Sequence, residues 1–397
     1  MKKTFVAVAL LLAACSAPPR ERPATHVATG LETLELLDFA PLKGRTIGLL
    51  TDHTGVDAAG RATVDVLSQA PGVTVGALFT PEPGPATLKL GARRVSVVRL
   101  RSQGVAGLRL KREDLAGLDA LVFDMQDSGA RNSEAFGLMA MALEEAGKAG
   151  LEFFVLDRPA PLGGVTIEGP LLDDLSLRRL TPASYVAVPP RPGMTIGEVA
   201  RLHNAEAGAK LAVIALRDWR RGMWYDETGL RWVPPAASLP DLESALLRPG
   251  LSLFEASNVS VGRGTPWPMR WIGAPWLDGK ALAQEMNAAL LDGARFEARP
   301  FAPKSGPYAN QRCGGVGIKI IDRDRVRPLA IFRKLEEALR KRHPRDFSWD
   351  WEQLRRVLGT REFQRLIESG GDPLLIEQLF AQGAQRFEQD RKPYLLY

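Results

Sequence analysis

The chain has 397 residues, 45% of them hydrophobic, with 52 Lys and Arg against 46 Asp and Glu for a formal net charge of +6. That length and apolar content exclude a disordered chain and suit two domains, each with its own core. The modest, mixed-sign charge and the absence of zinc-finger, RNA-binding or helix-turn-helix patterns argue against a nucleic-acid partner, and two cysteines exclude a disulfide framework.

Lys2 and Lys3, the apolar run Phe5–Leu12 and the small pair Ala13-Ala14 have the layout of a secretory signal over residues 1–15. Leu12-Ala13-Ala14-Cys15 resembles a bacterial lipobox, which implies lipidation at Cys15; an ordinary signal would be cleaved near Ala17 instead. Ser16 after the cysteine points to the outer membrane. The expected location is therefore the cell envelope, exported and lipid-anchored on the periplasmic face of the outer membrane. Residues 16–30 are Pro-rich, charged and aperiodic, as expected of a flexible tether. No later stretch is apolar for long enough to span a bilayer, so the lipid is the expected membrane contact.

From Leu36 to about Leu216, short β-rich runs alternate with helical stretches. Strands are expected at Thr46–Leu50, Val73–Phe79, Val95–Leu100, Ala120–Phe123, Phe153–Leu156 and Leu211–Leu216. Helices are expected at Ala62–Gln69, Ser133–Ala149 and Thr195–Ala205, the last with the Thr195–Glu198 spacing of a capping box. Such alternation predicts an α/β fold with a doubly wound, mostly parallel sheet over residues 31–250. Residues 217–276 hold six of the eight Trp and much Pro and Gly, as expected of a loop-rich segment that joins two domains and roofs a cleft. A second, smaller α/β or α+β domain is expected over 251–397, with helices near Lys280–Leu291, Leu329–Arg342, Glu352–Val357, Arg361–Ser369 and Pro373–Asp390 and a strand at Gly315–Ile321.

Four of the strands run into acidic residues: Asp52 after the first, Glu82 after the second, then Asp124 and Asp157. In an open parallel sheet the carboxyl ends of the strands border one crevice, where ligands bind. Glycoside hydrolysis needs two such carboxyl groups, one of them a proton donor of raised pKa. Glu82, between Pro81 and Pro83, is the favoured acid, with Asp124, Asp127 and Asp157 as catalytic partners. Asp52 and Asp127 are equally suited to capping turns, and Asp157 to pairing with Arg158. A magnesium site is the weaker alternative, since no P-loop accompanies the carboxylates and Asp322-Arg323-Asp324 lies in the other domain. Arg131 and Arg263 follow turn-like segments, and a guanidinium fork suits an acidic sugar substituent such as a lactyl carboxylate. Trp224 can stack on a sugar face, although any single Trp is more often a core residue. Of the four His, only His53 falls at a strand end. Cys313 reads as a small buried residue.

Taken together, GLLTDHTGVD (48–57), LFTPE (78–82), VFDMQDSGA (122–130), VLDRPAP (155–161), GMTIGEVA (193–200), NVSVGRGT (258–265), CGGV (313–316) and the terminal YLLY resemble the NamZ-type exo-β-N-acetylmuramidases, glycoside hydrolase family 171. The resemblance spans essentially the whole chain after the signal. It implies a Rossmann-like first domain, a smaller C-terminal domain and no redox cofactor; the residues themselves lead to no expected metal. It also implies release of N-acetylmuramic acid from non-reducing ends of peptidoglycan-derived saccharides during cell-wall turnover. The family's catalytic-motif Glu corresponds to Glu82, and its Asp-x-Gln-Asp-x-Gly-x-Arg motif to Asp124, Gln126, Asp127, Gly129 and Arg131. Asp52, His53, Gln126, Arg131, Arg263 and Trp224 are thus the expected substrate-binding set. Several positions depart from the family pattern. Its two motif histidines are Pro83 and Pro192, its Glu is Ala92, and its aromatic run after the Arg is Asn132-Ser133-Glu134-Ala135. The expected function is an exo-acting glycosidase; the alternative is an inactive glycan-binding lipoprotein of the same fold.

Overall fold

The computed structural model describes residues 26–100, 104–172 and 174–397; the signal, Cys15 and most of the expected tether lie outside the described residues. The first described residues are not a tether. Val27 is buried and its N–H donates to the Thr228 carbonyl (2.9 Å), and Thr29 and Glu32 form a reciprocal capping box on α1 (Gly30–Leu36). The Pro-rich composition that predicts a tether through residue 30 therefore stops short of Val27, where apolar burial takes over.

Strands β1 (Arg45–Thr51), β2 (Val73–Thr80), β3 (Thr87–Leu90), β4 (Arg93–Arg99), β5 (Ala120–Asp124), β6 (Glu152–Leu156) and β7 (Lys210–Ile214) form one sheet in the order β3-β4-β2-β1-β5-β6-β7. Only the β3–β4 pair is antiparallel. The six parallel strands follow the Rossmann order 3-2-1-4-5-6, which reverses between β1 and β5. The neighbours flanking that reversal are the four strands that end on acidic residues.

Alternate residues of β5 face opposite layers. Leu121 and Phe123 pack with α3 (Glu134–Ala149) and α4 (Ile196–Ala207), while Ala120 and Val122 pack with α1 and α2 (Thr63–Gln69). Burial on both faces is why this strand is continuously apolar. The α4 start is the expected capping box, Thr195 with Glu198.

The second domain begins with α5 (Leu242–Leu251) and carries β8 (Trp271–Ala274), α6 (Gly279–Ala288), β9 (Ala294–Ala298) and β10 (Gly314–Ile320). These strands form an antiparallel sheet in the order β8-β10-β9. Helices α7 (Pro328–Arg342), α8 (Trp351–Leu358), α9 (Glu362–Glu368) and α10 (Pro373–Asp390) complete it around Phe254, Phe332, Phe363 and Phe380. Cys313 is buried and unpaired. The chain then returns to the first domain. The Tyr397 hydroxyl donates to Asp157 Oδ2 (2.7 Å) and accepts from the Leu216 N–H (2.8 Å), and the Leu396 N–H donates to Glu198 (2.9 Å).

Candidate active site

The carboxylates at the strand ends fall into two levels. Asp124, Asp127 and Asp157 are fully buried, whereas Glu82 and His53 keep 38% and 48% of their side chains accessible and can touch a ligand.

The buried level is largely committed to structure. Asp124 receives the Arg158 fork, with Nε on Oδ1 at 2.5 Å and Nη2 on Oδ2 at 2.9 Å, and the Thr63 hydroxyl as well. The expected Asp157–Arg158 ion pair is thus corrected to Asp124–Arg158. Asp157 accepts instead from the Thr195 hydroxyl (2.8 Å), Tyr397 hydroxyl (2.7 Å), Gly197 N–H (2.7 Å) and Arg158 N–H (2.9 Å). Burial pushes its pKa up to about 6 against those donors. It locks the α4 N-terminus and the chain end together and has no surface for a sugar. Neither aspartate is placed to serve as the expected catalytic partner.

Asp127 differs from these two. Oδ1 accepts the Gly129 N–H (2.6 Å) in a tight turn that Gly129 permits with φ of 75°, but Oδ2 is buried without a partner. Gln126 Oε1 and Ser128 Oγ, on the same loop, are also unpartnered, while Gln126 Nε2 holds the Pro159 carbonyl (3.0 Å). Burial first, and then the Asp157 charge, push the Asp127 pKa up to about 7. An acid whose pKa is raised by folding stabilises the fold fully below its unfolded value near 4, and that contribution is lost as pH climbs through about 7. Asp127→Asn is therefore expected to flatten the pH dependence of stability over that window and to gain up to ~4 kcal/mol at pH 8 relative to pH 4. Urea unfolding at the two pH values checks this.

The accessible level centres on Glu82. Its Oε1 faces His53 Nδ1 and accepts the His53 backbone N–H at 3.2 Å. His53 Nε2 faces the Pro234 carbonyl at 2.9 Å, so the loop-rich segment does cover this point of the crevice. Burial lowers the His53 pKa, but the Pro234 carbonyl, Asp52 and Glu82 outweigh it and the net shift is upward. Asp52 Oδ1 caps a turn through the Thr54 N–H (2.8 Å), and the Thr54 hydroxyl accepts from Gln126 N–H (2.8 Å). Burial, with Glu82 adding like charge, raises the Asp52 pKa. Desolvation and Asp52 likewise raise that of Glu134, the first residue of α3. Asp52 is thus repelled by both Glu82 and Glu134, with His53 as the cation beside Asp52 and Glu82.

Two expected ligand-binding residues, Arg131 and Trp224, are placed otherwise, and a third, Arg263, is engaged by an acidic side chain. Arg131 is buried, with Nη1 on the Val188 carbonyl (2.8 Å) and Nη2 on the Val357 carbonyl, so it ties the domains together. Trp224 is buried, its indole N–H donating to Asp324 (2.8 Å) and its ring lying beside Arg191 and Arg323. Arg263 is partly exposed but paired with Glu255. Sequence reasoning overlooked Glu134 as a site residue. Its signal was an acidic residue starting the helix that follows an acidic strand end. Among the described residues, no three His, Cys, Asp or Glu side chains group as metal ligands.

Family models described as the N-terminal and C-terminal regions of exo-β-N-acetylmuramidase NamZ match residues 47–243 and 246–397. The peptidoglycan β-N-acetylmuramidase NamZ of Bacillus subtilis (strain 168) is 34% identical, with 97% of this chain and 96% of that protein covered. The crystal structure of a DUF1343 family protein from Bacteroides fragilis NCTC 9343 superposes with a TM-score of 0.87 at 28% identity, over 94% of this chain and all of the other. A second DUF1343 structure from the same organism, at 24% identity, shares the fold with a TM-score of 0.75 over 94% of this chain and 99% of its own. Rossmann strand order, an acidic crevice at its switch point and matches to both halves of one family converge: the chain belongs to the NamZ exo-β-N-acetylmuramidase family.

Proposed function

We propose that this protein is an exo-acting glycosidase that removes N-acetylmuramic acid from the non-reducing ends of peptidoglycan-derived saccharides, with Glu82 as its proton-transfer group. The observation that carries this reading is the accessible Glu82–His53 pair at the carboxyl end of the sheet. Both ring nitrogens of His53 face oxygen atoms. With the imidazole doubly protonated, both contacts are hydrogen bonds. With the Nδ1 proton moved to Glu82, the carboxylic acid donates back to Nδ1 and Nε2–H still donates to Pro234. The proton can therefore sit on either partner without breaking a contact, which suits a group that must protonate a leaving oxygen and later recover a proton. Asp52 is the second carboxylate, beside the pair and partly buried.

The binding-protein alternative is supported by Pro83 and Pro192, where the family resemblance has histidines. One assay separates the two readings. The protein is incubated with a chromogenic N-acetylmuramide and with a muramyl disaccharide. Free N-acetylmuramic acid in both supports the enzyme. Saturable disaccharide binding without release supports the binder and rules out the enzyme. Export with a lipid on Cys15 remains part of the proposal, since the substrate is a cell-envelope polymer; mass spectrometry of the membrane-fraction protein tests it.

A further inference from the structure

The carboxylates of Asp52, Glu82 and Glu134 disfavour the lactyl carboxylate of a muramic acid at their end of the crevice, where His53 is already engaged by Glu82. The second domain supplies a cation just before the start of α3. Arg248, in the last turn of α5, directs Nε to Asn132 Oδ1 (3.1 Å) and Nη2 to the Asn132 carbonyl (2.9 Å), and its Nη1 has no hydrogen-bond partner among the described residues. Asn132 Nδ2 is held in turn by Ser252 Oγ (2.7 Å). The carboxylate whose charge acts on it, Glu255, is already bound by Arg263. Lys304 lies over Gly264, next to Arg263, and makes no ion pair among the described residues. Arg248 and Arg263 thus share one carboxylate, with Lys304 close by in the chain fold. Asn132 is two residues from Glu134, whose carboxyl senses Asp52, so the basic and acidic groups meet at the start of α3.

We infer that Arg248, fixed by Asn132 and flanked by Arg263 and Lys304, is the subsite that binds an anionic substituent of the sugar, a carboxylate on a lactyl-type ether, while the reacting bond lies toward Glu82. This inference rests on the glycosidase reading and names the specificity residue for it. A planar fork already held on one edge by Asn132 presents its remaining edge with little further loss of rotamer freedom. The charge separation across the α3 start orients the substrate. An anionic group is repelled from Asp52, Glu82 and Glu134 and drawn to the arginines, which places the glycosidic oxygen on the acidic side. Asn132 and Glu134 both lie where the family resemblance has an aromatic run, so the subsite belongs to this chain's own departures.

The test uses calorimetric titration of the full protein with N-acetylmuramic acid, its neutral lactyl methyl ester and N-acetylglucosamine. Wild type is expected to bind the acid ~10- to 100-fold more tightly than either neutral sugar, the value of one charge-assisted contact. Arg248→Gln is expected to remove that preference while leaving the neutral sugars within about twofold. Arg248→Lys, which keeps charge but not the fork, should retain part of it. The ester comparison needs no mutation, so a misfolded Arg248→Gln would leave the inference testable. Equal wild-type affinity for acid and ester overturns it, as does a parallel loss for all three ligands in Arg248→Gln, the signature of a purely structural arginine. If wild type binds none of the sugars and releases none, the glycosidase reading fails as well. Release with unchanged acid preference in Arg248→Gln sinks the subsite alone.

Discussion

Glu82→Gln is expected to lower release of N-acetylmuramic acid by two to four orders of magnitude while leaving the melting temperature within a few degrees of wild type. The side chain is partly exposed and its contacts are with an exposed histidine, so the amide replaces it with little structural cost. What is lost is the proton. Gln can still accept from the His53 backbone N–H, but it can neither receive the Nδ1 proton nor give one to a leaving oxygen. Substrate affinity should change far less than kcat, because the substitution removes a transition-state interaction. His53→Asn offers a graded companion, since it leaves Glu82 in place without its proton partner. Its pH–rate profile should lose the limb due to the pair. An unchanged kcat in Glu82→Gln would remove the residue from the chemistry and leave Asp52 as the nearest accessible carboxylate.

The sequence carried the centre of the sheet plainly because β1, β2, β5 and β6 are mostly buried and each reads as an apolar run leading into an acidic residue. The elements it concealed have mixed patterns. β3 (TLKL) is a short edge strand, half of it exposed. β9 (ARFEA) alternates too weakly to stand out, and α5 contains Pro249. α1 follows a Pro-rich stretch that hides its Thr29 cap. For the site, strand ends identified the right place but not which carboxylates stay reachable. That depends on partners distant in sequence: Arg158 for Asp124, Thr195 and Tyr397 for Asp157. Arg131 shows the same limit, because its Val357 partner lies 226 residues away. An isolated Arg or Trp in a motif says nothing about whether its polar edge faces a cleft or a neighbouring domain.

Arg158→Met is expected to cost ~3–5 kcal/mol of stability. Both members of the Arg158–Asp124 pair are essentially inaccessible, at 3% and 0% of their side chains, so water cannot replace the lost partner. The remaining Thr63 hydroxyl satisfies only one oxygen. Arg158 Nη2 also holds the Val56 carbonyl (2.9 Å), and the Asp124 carbonyl accepts from the Thr51 hydroxyl (2.7 Å), so the pair fastens the β1 loop that carries Asp52 and His53. Activity should fall along with stability for that reason. An Asp124→Leu, Arg158→Met double variant distinguishes the cost of a stranded charge from the worth of the pair. If the penalty comes from the unpaired carboxylate, the double variant is more stable than Arg158→Met, since a buried ion pair replaced by apolar groups is often near neutral. It should nonetheless stay impaired in catalysis, because no apolar side chain holds the Val56 carbonyl. Chemical denaturation of wild type and both variants decides it: a loss below ~1 kcal/mol in Arg158→Met would mean that water reaches Asp124 and that the lower level of the crevice is open to substrate.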